Sequence, residues 1–245
     1  MKILVCITHV PDTTSKISFT DNNTKFDKTG IQFIIGPYDD FALARAVELK
    51  EQHGGTVTVL NVGTSETEPT IRKALAIGAD DAIRVDAFPQ DAFFVSTQIA
   101  KVAAEEEYDL IMMGRESIDF NGGQVHSMVG ALMNMPSLSP VMSLDIDGEV
   151  AKLTREIEGG KEHIETPLPI IAGCQEPIAE WKIPNMRGIM SSRTKPLNVI
   201  PPVDAKTLTS VSEFQLPPEK GDVKLYEKEN LDQLVDELIN NAKVI

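Results

Sequence analysis

Leu110-Ile111-Met112-Met113-Gly114-Arg115-Glu116-Ser117-Ile118-Asp119-Phe120-Asn121-Gly122-Gly123-Gln124-Val125 passes from an apolar run through a polar, glycine-bearing loop into an amphipathic helix. Leu110 to Met113 suits a strand buried on both faces. Behind the loop, Val125, Met128, Val129, Leu132 and Met133 recur at helical spacing. Between the two, Asn121-Gly122-Gly123 can bring backbone N–H groups close to a ligand, and the helix N-terminus adds positive partial charge, so a phosphate is a natural guest. The same spacing also suits a tight strand-to-helix loop that holds nothing. The loop matches neither G-x-x-x-x-G-K-[ST] nor G-x-G-x-x-G.

Working outward, the unit repeats. Ile3 to Ile7 predicts a buried first strand that Pro11 ends, and residues 16 to 35 predict an excursion or hairpin around Asp21-Asn22-Asn23. Gly36-Pro37-Tyr38-Asp39-Asp40 opens a helix that ends at His53-Gly54-Gly55. Thr56 to Val62 is a β-branched strand, followed by a helix carrying Ile71, Leu75 and Ile77 and closed by Gly78-Ala79-Asp80. Ala82 to Val85 and Leu110 to Met113 flank a helix over 91–106. Strands alternating with helices imply βαβ units and a parallel sheet with helices on both faces. Ligands of such open sheets sit beyond the carboxyl ends of the strands, which gathers residues 6–12, 36–39, 62–65 and 114–125 into one crevice. The expected fold is therefore an α/β open parallel sheet of adenine-nucleotide-binding type.

Beyond the helix over 124–134, Val141 to Ile146, Val150 to Arg155, His163 to Thr166 and Pro169 to Gly173 predict strands of an antiparallel edge, turning at Asp147-Gly148 and Gly159-Gly160. From Glu176 the chain is rich in proline (Pro177, Pro184, Pro196, Pro201, Pro202, Pro217, Pro218) and poor in periodicity, as an extended arm would be. Only its end regains a helical stripe, Leu231, Leu234, Val235 and Leu238, which needs another surface to bury it. The expected division is a nucleotide-binding domain over 1–175 and an arm over 176–245 that packs on a partner subunit.

Composition narrows the guests. A formal net charge of -14 over 245 residues argues against unspecific nucleic-acid binding, which draws on a basic excess. Cys6 and Cys174 lie in apolar segments without metal-ligand spacing, suggesting neither a zinc site nor a disulfide framework and fitting a reducing compartment. The apolar N-terminal run is too short for a signal sequence and no apolar run approaches about 18 residues, so the expected location is cytoplasmic and not membrane-embedded. His9, His53, His126 and His163 keep company with no obvious nucleophile and are expected to be mostly solvated. His126, on the first turn after the loop, is expected either to touch a phosphate or to lie on the surface. Glu116 and Asp119 would repel phosphate, so ribose hydroxyls, backbone N–H groups or Arg115 are their expected partners.

Thr154-Arg155-Glu156-Ile157-Glu158-Gly159-Gly160, followed by Glu162, Ile164 and Leu168-Pro169-Ile170-Ile171-Ala172, resembles the signature of the electron transfer flavoprotein β-subunit family. The likeness covers nearly the whole core: Val10-Pro11-Asp12, Pro37-Tyr38-Asp39, the block from Thr70 to Asp80, Gly114-Arg115 and Gln124-Val125 fall in family order, and Arg187 to Arg193 is similar to its R-G-x-M-x-A-R segment. The resemblance implies a heterodimer with an α-subunit that holds most of an FAD, carrying electrons without bond chemistry of its own. Flavin dehydrogenases such as acyl-CoA dehydrogenases would supply the electrons, and a quinone oxidoreductase or other acceptor would receive them. The crevice would hold AMP, or a second FAD in an electron-bifurcating variant.

By the same resemblance, the nucleotide contacts would be Cys6, Gly36, Pro37, Tyr38, Asp39, Val62, Gly114, Arg115, Glu116, Ser117, Ile118, Asp119, Phe120, Asn121, Gly122, Gly123, Gln124 and Val125, with Tyr38 near the α-held flavin. Gly36 stands where asparagine is usual, and Phe120-Asn121 replaces small or acidic residues. A recognition loop around 174–196 would dock the dehydrogenase through Ile183, Met186, Arg187, Ile189 and Met190. Met186 and Ile183 compete there for the family's anchoring position, and Lys182, Arg187, Arg193 and Lys195 surround them. Two other classes remain open. An ATP-using hydrolase should carry an S-G-G-x-D-S-like loop where Thr8-His9-Val10-Pro11-Asp12 stands, and a nucleotide-binding stress or signalling module leaves the long arm unexplained.

Overall fold

A computed structural model describes residues 1–219 and 221–245 of the chain. The elements in order are β1 (Lys2–Cys6), β2 (His9–Pro11), β3 (Phe19–Thr20), β4 (Lys25–Phe26), β5 (Phe33–Ile35), α1 (Pro37–His53), β6 (Thr56–Val62), α2 (Glu68–Ile77), β7 (Asp81–Val85), α3 (Ala92–Ala103) and β8 (Leu110–Gly114). There follow α4 (Val125–Met133), β9 (Ser137–Asp147), β10 (Val150–Ile157), β11 (Gly160–Pro167), β12 (Ile170–Cys174), α5 (Met186–Ser192), β13 (Leu197–Ile200) and α6 (Leu231–Asp236). No helix among the described residues is long and apolar enough to cross a membrane.

One sheet of nine strands runs β11-β10-β9-β12-β8-β1-β6-β7-β13. β1 pairs in parallel with β6 on one side and β8 on the other, so the winding reverses direction between β1 and β8. Alternation along each strand divides the core between two faces. Ile3, Val5, Val57 and Val59 pack with Leu43, Val47, Ile71 and Leu75 of α1 and α2, whereas Leu4, Leu60, Ile111 and Met113 pack with Phe94, Ile99, Val102 and Val129 of α3 and α4. Sequence chemistry ends the helices where expected. Pro37 opens α1, Asp91 caps α3 by accepting from Phe94 N–H at 2.7 Å, and Asn134 closes α4 in the left-handed conformation at φ 51°.

The antiparallel edge is real but shorter than the sequence suggests. β9, β10 and β11 form it, in a register that sets Arg155 opposite Glu162. The segment read as its fourth strand is instead β12, parallel to β8 on one side and β9 on the other, and buried along its whole length. The run Ile170-Ile171-Ala172-Gly173-Cys174 does not alternate, and such runs belong inside parallel sheets.

The proline-rich stretch also holds regular structure. Leu197–Ile200 extends the sheet as β13, parallel to β7. Prolines at both ends of so short a segment hide it, yet they are compatible with an edge strand. Gln98 then holds Val203 by donating to its carbonyl at 2.9 Å and accepting from its N–H at 2.8 Å, as a neighbouring strand would. Asp91 accepts from the N–H groups of Leu208 and Thr209. Farther on, Phe214 stacks on Phe19 of the β3–β4 hairpin with ring centroids 4.9 Å apart.

Candidate functional site

The four loops gathered by the sequence meet at the carboxyl ends of β1, β6 and β8, where the winding reverses. Asp39 ties three of them together. Its side chain is only 3% exposed, on the first turn of α1. Thr8 donates to Oδ2 through its N–H at 2.8 Å and its hydroxyl at 2.6 Å, and Gly114 N–H donates to Oδ1 at 2.7 Å. One carboxylate thus joins the end of β1, the end of β8 and the start of α1. The close approach explains two glycines: a Cβ on Gly114 would stand 2.7 Å from Asp39 Oδ1, and one on Gly36 would stand 2.6 Å from Oδ2. Burial raises the Asp39 carboxyl to about 6, against the three hydrogen bonds that favour its charged form. From the neighbouring strand, Asn61 donates to Ile7 carbonyl at 2.9 Å and fixes the end of β6 against that of β1.

Arg115 lies at the mouth. It donates to Glu116 at 2.9 Å and to Gln175 at 2.8 Å, and its guanidinium stands 5.1 Å from the Tyr38 ring centroid. Gln175 in turn donates to Glu156 of β10 at 2.6 Å. Glu116 is therefore neutralised by Arg115, one of the partners expected for it, and Asp119 accepts from the Ser117 hydroxyl. Neither acid is left bare beside the loop.

Beyond Arg115 the loop folds back on itself through Asn121 N–H to Ser117 carbonyl at 2.7 Å, with Asn121 at φ 49° and Gly123 at φ 58°. Gly123 needs glycine's freedom for that conformation. Among the described residues, none accepts from the N–H groups of Gly122, Gly123 or Gln124. They lead directly into α4, and such donors ahead of a helix dipole suit an anion. Phe120 stands out from the loop, 68% exposed.

Other expected contacts lie differently. Cys6 and Val62 turn into the core beneath α3 and α4, where burial pushes the Cys6 thiol upward. His126 is buried, not on the surface, and His9 stacks on Phe33 while its Nδ1 meets Thr70 Oγ1 at 2.8 Å. The first turn of a helix under a loop is a buried place, which residue type alone does not disclose. Thr8, Gln175 and Glu156 are site residues that sequence reasoning missed. Of these only Thr8 carried a signal, a small hydroxyl directly after a buried strand.

The segment expected to dock a dehydrogenase carries the helix α5. Asn185 caps α5 by accepting from Gly188 N–H at 2.8 Å, and Arg72 of α2 donates to the carbonyls of Ser192 and Lys195, each at 2.8 Å. Gly188 lies so close to α2 that a Cβ there would strike the Ala76 carbonyl. On this rigid seat Ile183, Met186 and Met190 stand 76%, 74% and 70% exposed, with Ile189 and Trp181 beside them. The basic cluster is smaller than the sequence suggests. Lys195 is spent on the C-terminus of α2, donating to Leu75 and Ala79 carbonyls, and Lys182 lies near Glu48 and Glu51. Arg187 and Arg193 are exposed.

A family model described as the electron transfer flavoprotein domain matches residues 24–205. The electron transfer flavoprotein subunit beta of Bacillus subtilis is 34% identical, with all of both chains covered. That of Homo sapiens is 29% identical over 94% of this chain and 95% of its own. The acryloyl-CoA reductase electron transfer subunit gamma of Anaerotignum propionicum is 29% identical over 98% of each chain.

Proposed function

Because the chain belongs to the electron transfer flavoprotein β-subunit family, and is by that membership an electron carrier, we propose that it pairs with an α-subunit and holds AMP in the crevice at the carboxyl end of its sheet. The observation that carries the nucleotide reading is the run of open N–H donors at Gly122, Gly123 and Gln124, set at the reversal of winding and leading into α4. The phosphate would rest there, with Arg115 close by. Backbone at Cys6, Gly36 and Val62 would border the nucleoside, since the side chains of Cys6 and Val62 are buried. Ser117, Ile118, Asp119, Phe120, Asn121 and Val125 would complete the wall.

A flavin held mainly by the α-subunit supplies the redox chemistry. In this reading the chain performs no substrate turnover. Tyr38, held under Arg115, faces the flavin side of the crevice, and Pro37 and Asp39 keep it there. Residues 1–175, with β13 added at the edge of their sheet, serve as the nucleotide-binding domain, and the arm of 176–245 packs on the α-subunit in its part beyond Thr209. Flavin dehydrogenases dock on Ile183, Met186, Arg187, Ile189 and Met190, and a quinone oxidoreductase takes the electrons onward, in the cytoplasm.

Ligands released by gentle denaturation of the purified complex test this reading. One AMP and one FAD per heterodimer are expected. Gly123→Asp, which sets a carboxylate and a Cβ at the phosphate seat, should lose AMP and keep FAD. Full AMP in the folded variant moves the site elsewhere, and two FAD per heterodimer replace AMP with a second flavin.

A further inference from the structure

Asparagine occurs ten times in the chain, and only at Asn121 is the next residue glycine. This pair lies in the anion loop, where Asn121, Gly122, Gly123 and Gln124 are all exposed. Asn121 sits at φ 49°, its N–H donated to the Ser117 carbonyl at 2.7 Å. The side chains around it are engaged with each other, Arg115 with Glu116 and Ser117 with Asp119, and none among the described residues holds the Asn121 carboxamide. Nor does any accept from the Gly122 N–H. Space is open on that side of the peptide bond: a Cβ on Gly122 would meet nothing nearer than Gln124 Nε2, at 3.5 Å. A free carboxamide thus adjoins a free, uncrowded backbone nitrogen on an exposed loop. At the other asparagines one or more of these conditions is missing. Asn61 is 2% exposed and bonded to the Ile7 carbonyl, Asn185 is bonded to Gly188 N–H, and at all nine the next residue carries a side chain.

We propose that Asn121-Gly122 is a self-modification site of the anion loop, converting to aspartate and isoaspartate while the seat is empty and shielded while a phosphate occupies it. The inference rests on the reading of this loop as a phosphate seat. In the reaction the Gly122 nitrogen attacks Asn121 Cγ: the N–Cγ bond forms, the Cγ–Nδ2 bond breaks, and ammonia leaves with the proton that Gly122 loses. Water then opens the succinimide ring. Cleavage at Cγ gives aspartate, and cleavage at the main-chain carbonyl gives isoaspartate, whose chain runs through Cβ. Glycine in second place leaves the attacking nitrogen unhindered, and asparagine is already among the thermolabile residues. A phosphate on the loop stops the first step, because it accepts from the same Gly122 N–H whose proton must depart and keeps that nitrogen turned toward the ligand. Isoaspartate puts one more backbone atom ahead of Gly122 and Gly123. The donors then no longer converge, so a seat left empty long enough does not refill.

The test incubates the full chain in complex with its α-subunit at mildly alkaline pH, either freed of nucleotide or with added AMP. Peptide mass spectrometry follows each asparagine, and calorimetry measures AMP binding. Without nucleotide, exchange of NH for O should appear at Asn121 well ahead of the other nine asparagines. With AMP at about ten times its Kd, the rate at Asn121 should fall about tenfold, in step with the share of seats left free. Gly122→Ala, whose methyl fits the space beside Gln124, should crowd the nitrogen and bring Asn121 down to the level of the others. Complex aged without nucleotide should bind AMP only in proportion to the chains free of isoaspartate. Asn121 no faster than the other asparagines overturns the modification site. Equal rates with and without AMP, in a complex that calorimetry shows to bind it, overturn the shielding, and full AMP uptake by isoaspartyl complex overturns the loss of the seat. Should Gly122→Ala not fold, the comparison with and without AMP decides alone. A wild type that binds no AMP overturns the phosphate seat itself, and this inference with it.

Discussion

Asp39 concentrates the chemistry of the crevice in one side chain. Among the described residues no cation pairs with it; three hydrogen bonds from Thr8 and Gly114 are what make its burial tolerable. The carboxyl held at about 6 therefore has a consequence for stability. Between the unfolded value, about 4, and the folded one, the native chain binds a proton that the unfolded chain does not. This group's contribution is thus fully present below about pH 4 and is lost as pH rises through about 6, with a ceiling on the order of 3 kcal/mol. Other carboxylates, such as those of Asp12 and Asp27, are shifted downward by hydrogen bonds and act in the opposite sense. The difference between wild type and Asp39→Asn isolates the one group. Urea midpoints of the pair should converge on raising the pH from 4 to 7, because only the wild type loses this contribution. Parallel curves would show that Asp39 does not titrate in that window. The amide must also set its NH2 against one of the donors on Thr8 or Gly114, which costs about 1–3 kcal/mol at every pH.

At the scale of elements, the docking proposed for α5 and the residues before it depends on a backbone held still while the side chains stay free. Gly188 against Ala76, the Arg72 cap and Lys195 on the end of α2 fix the backbone, so Ile183 and Met186 contribute little to the chain's own packing. Replacing both by alanine should shift stability by less than ~0.5 kcal/mol, as surface substitutions do. It should leave α-subunit assembly and flavin content intact and slow reduction by a partner dehydrogenase at sub-saturating carrier. Because Lys182 and Lys195 are already engaged, the docking should be mainly apolar, with a shallow salt dependence resting on Arg187 and Arg193. Unchanged reduction rates in the double variant would remove the docking role.

This element also shows where sequence reading stops. The strands β1, β6, β7 and β8 were legible because their apolar runs are bounded by Gly, Pro and Asp, whereas α5 was hidden in a short segment without apolar periodicity. β12 and β13 were misplaced because pairing is not local: Ile170 to Cys174 sits next to a meander in sequence but next to β8 in space. The crevice loops were legible as a set, from the rule that ligands lie at strand carboxyl ends. The partners of Asp39 and the enclosure of His126 were not, since each depends on a contact between loops far apart in the chain.

The molecule as a whole is a compact α/β body with a long tail, and the tail divides at a definable point. Through Thr209 it is bonded to the body, first as β13, then through Gln98 to Val203 and through Asp91 to Leu208 and Thr209. Past that, the stack of Phe214 on Phe19 and the bond from its N–H to Asn23 carbonyl are its hold on the β3–β4 hairpin. Yet Val211, Leu216, Val223, Leu225, Leu231, Val235, Ile239, Val244 and Ile245 are all exposed. Burying one such side chain is worth roughly 1.5–3 kcal/mol, so covering half of them is comparable with the cost of ordering and association, on the order of 4–15 kcal/mol, and covering more exceeds it. We propose that this apolar tail is one half of an interface, with the α-subunit as the other half. Deleting residues 210–245 should therefore leave the melting of the isolated chain nearly unchanged, because few of its own contacts are lost, while co-purification with the α-subunit falls sharply. If the truncated chain assembles with the α-subunit as well as the intact one does, assembly rests on the body of the fold. If it melts well below the intact chain, the tail is structural, and Phe214 on Phe19 is the contact to examine.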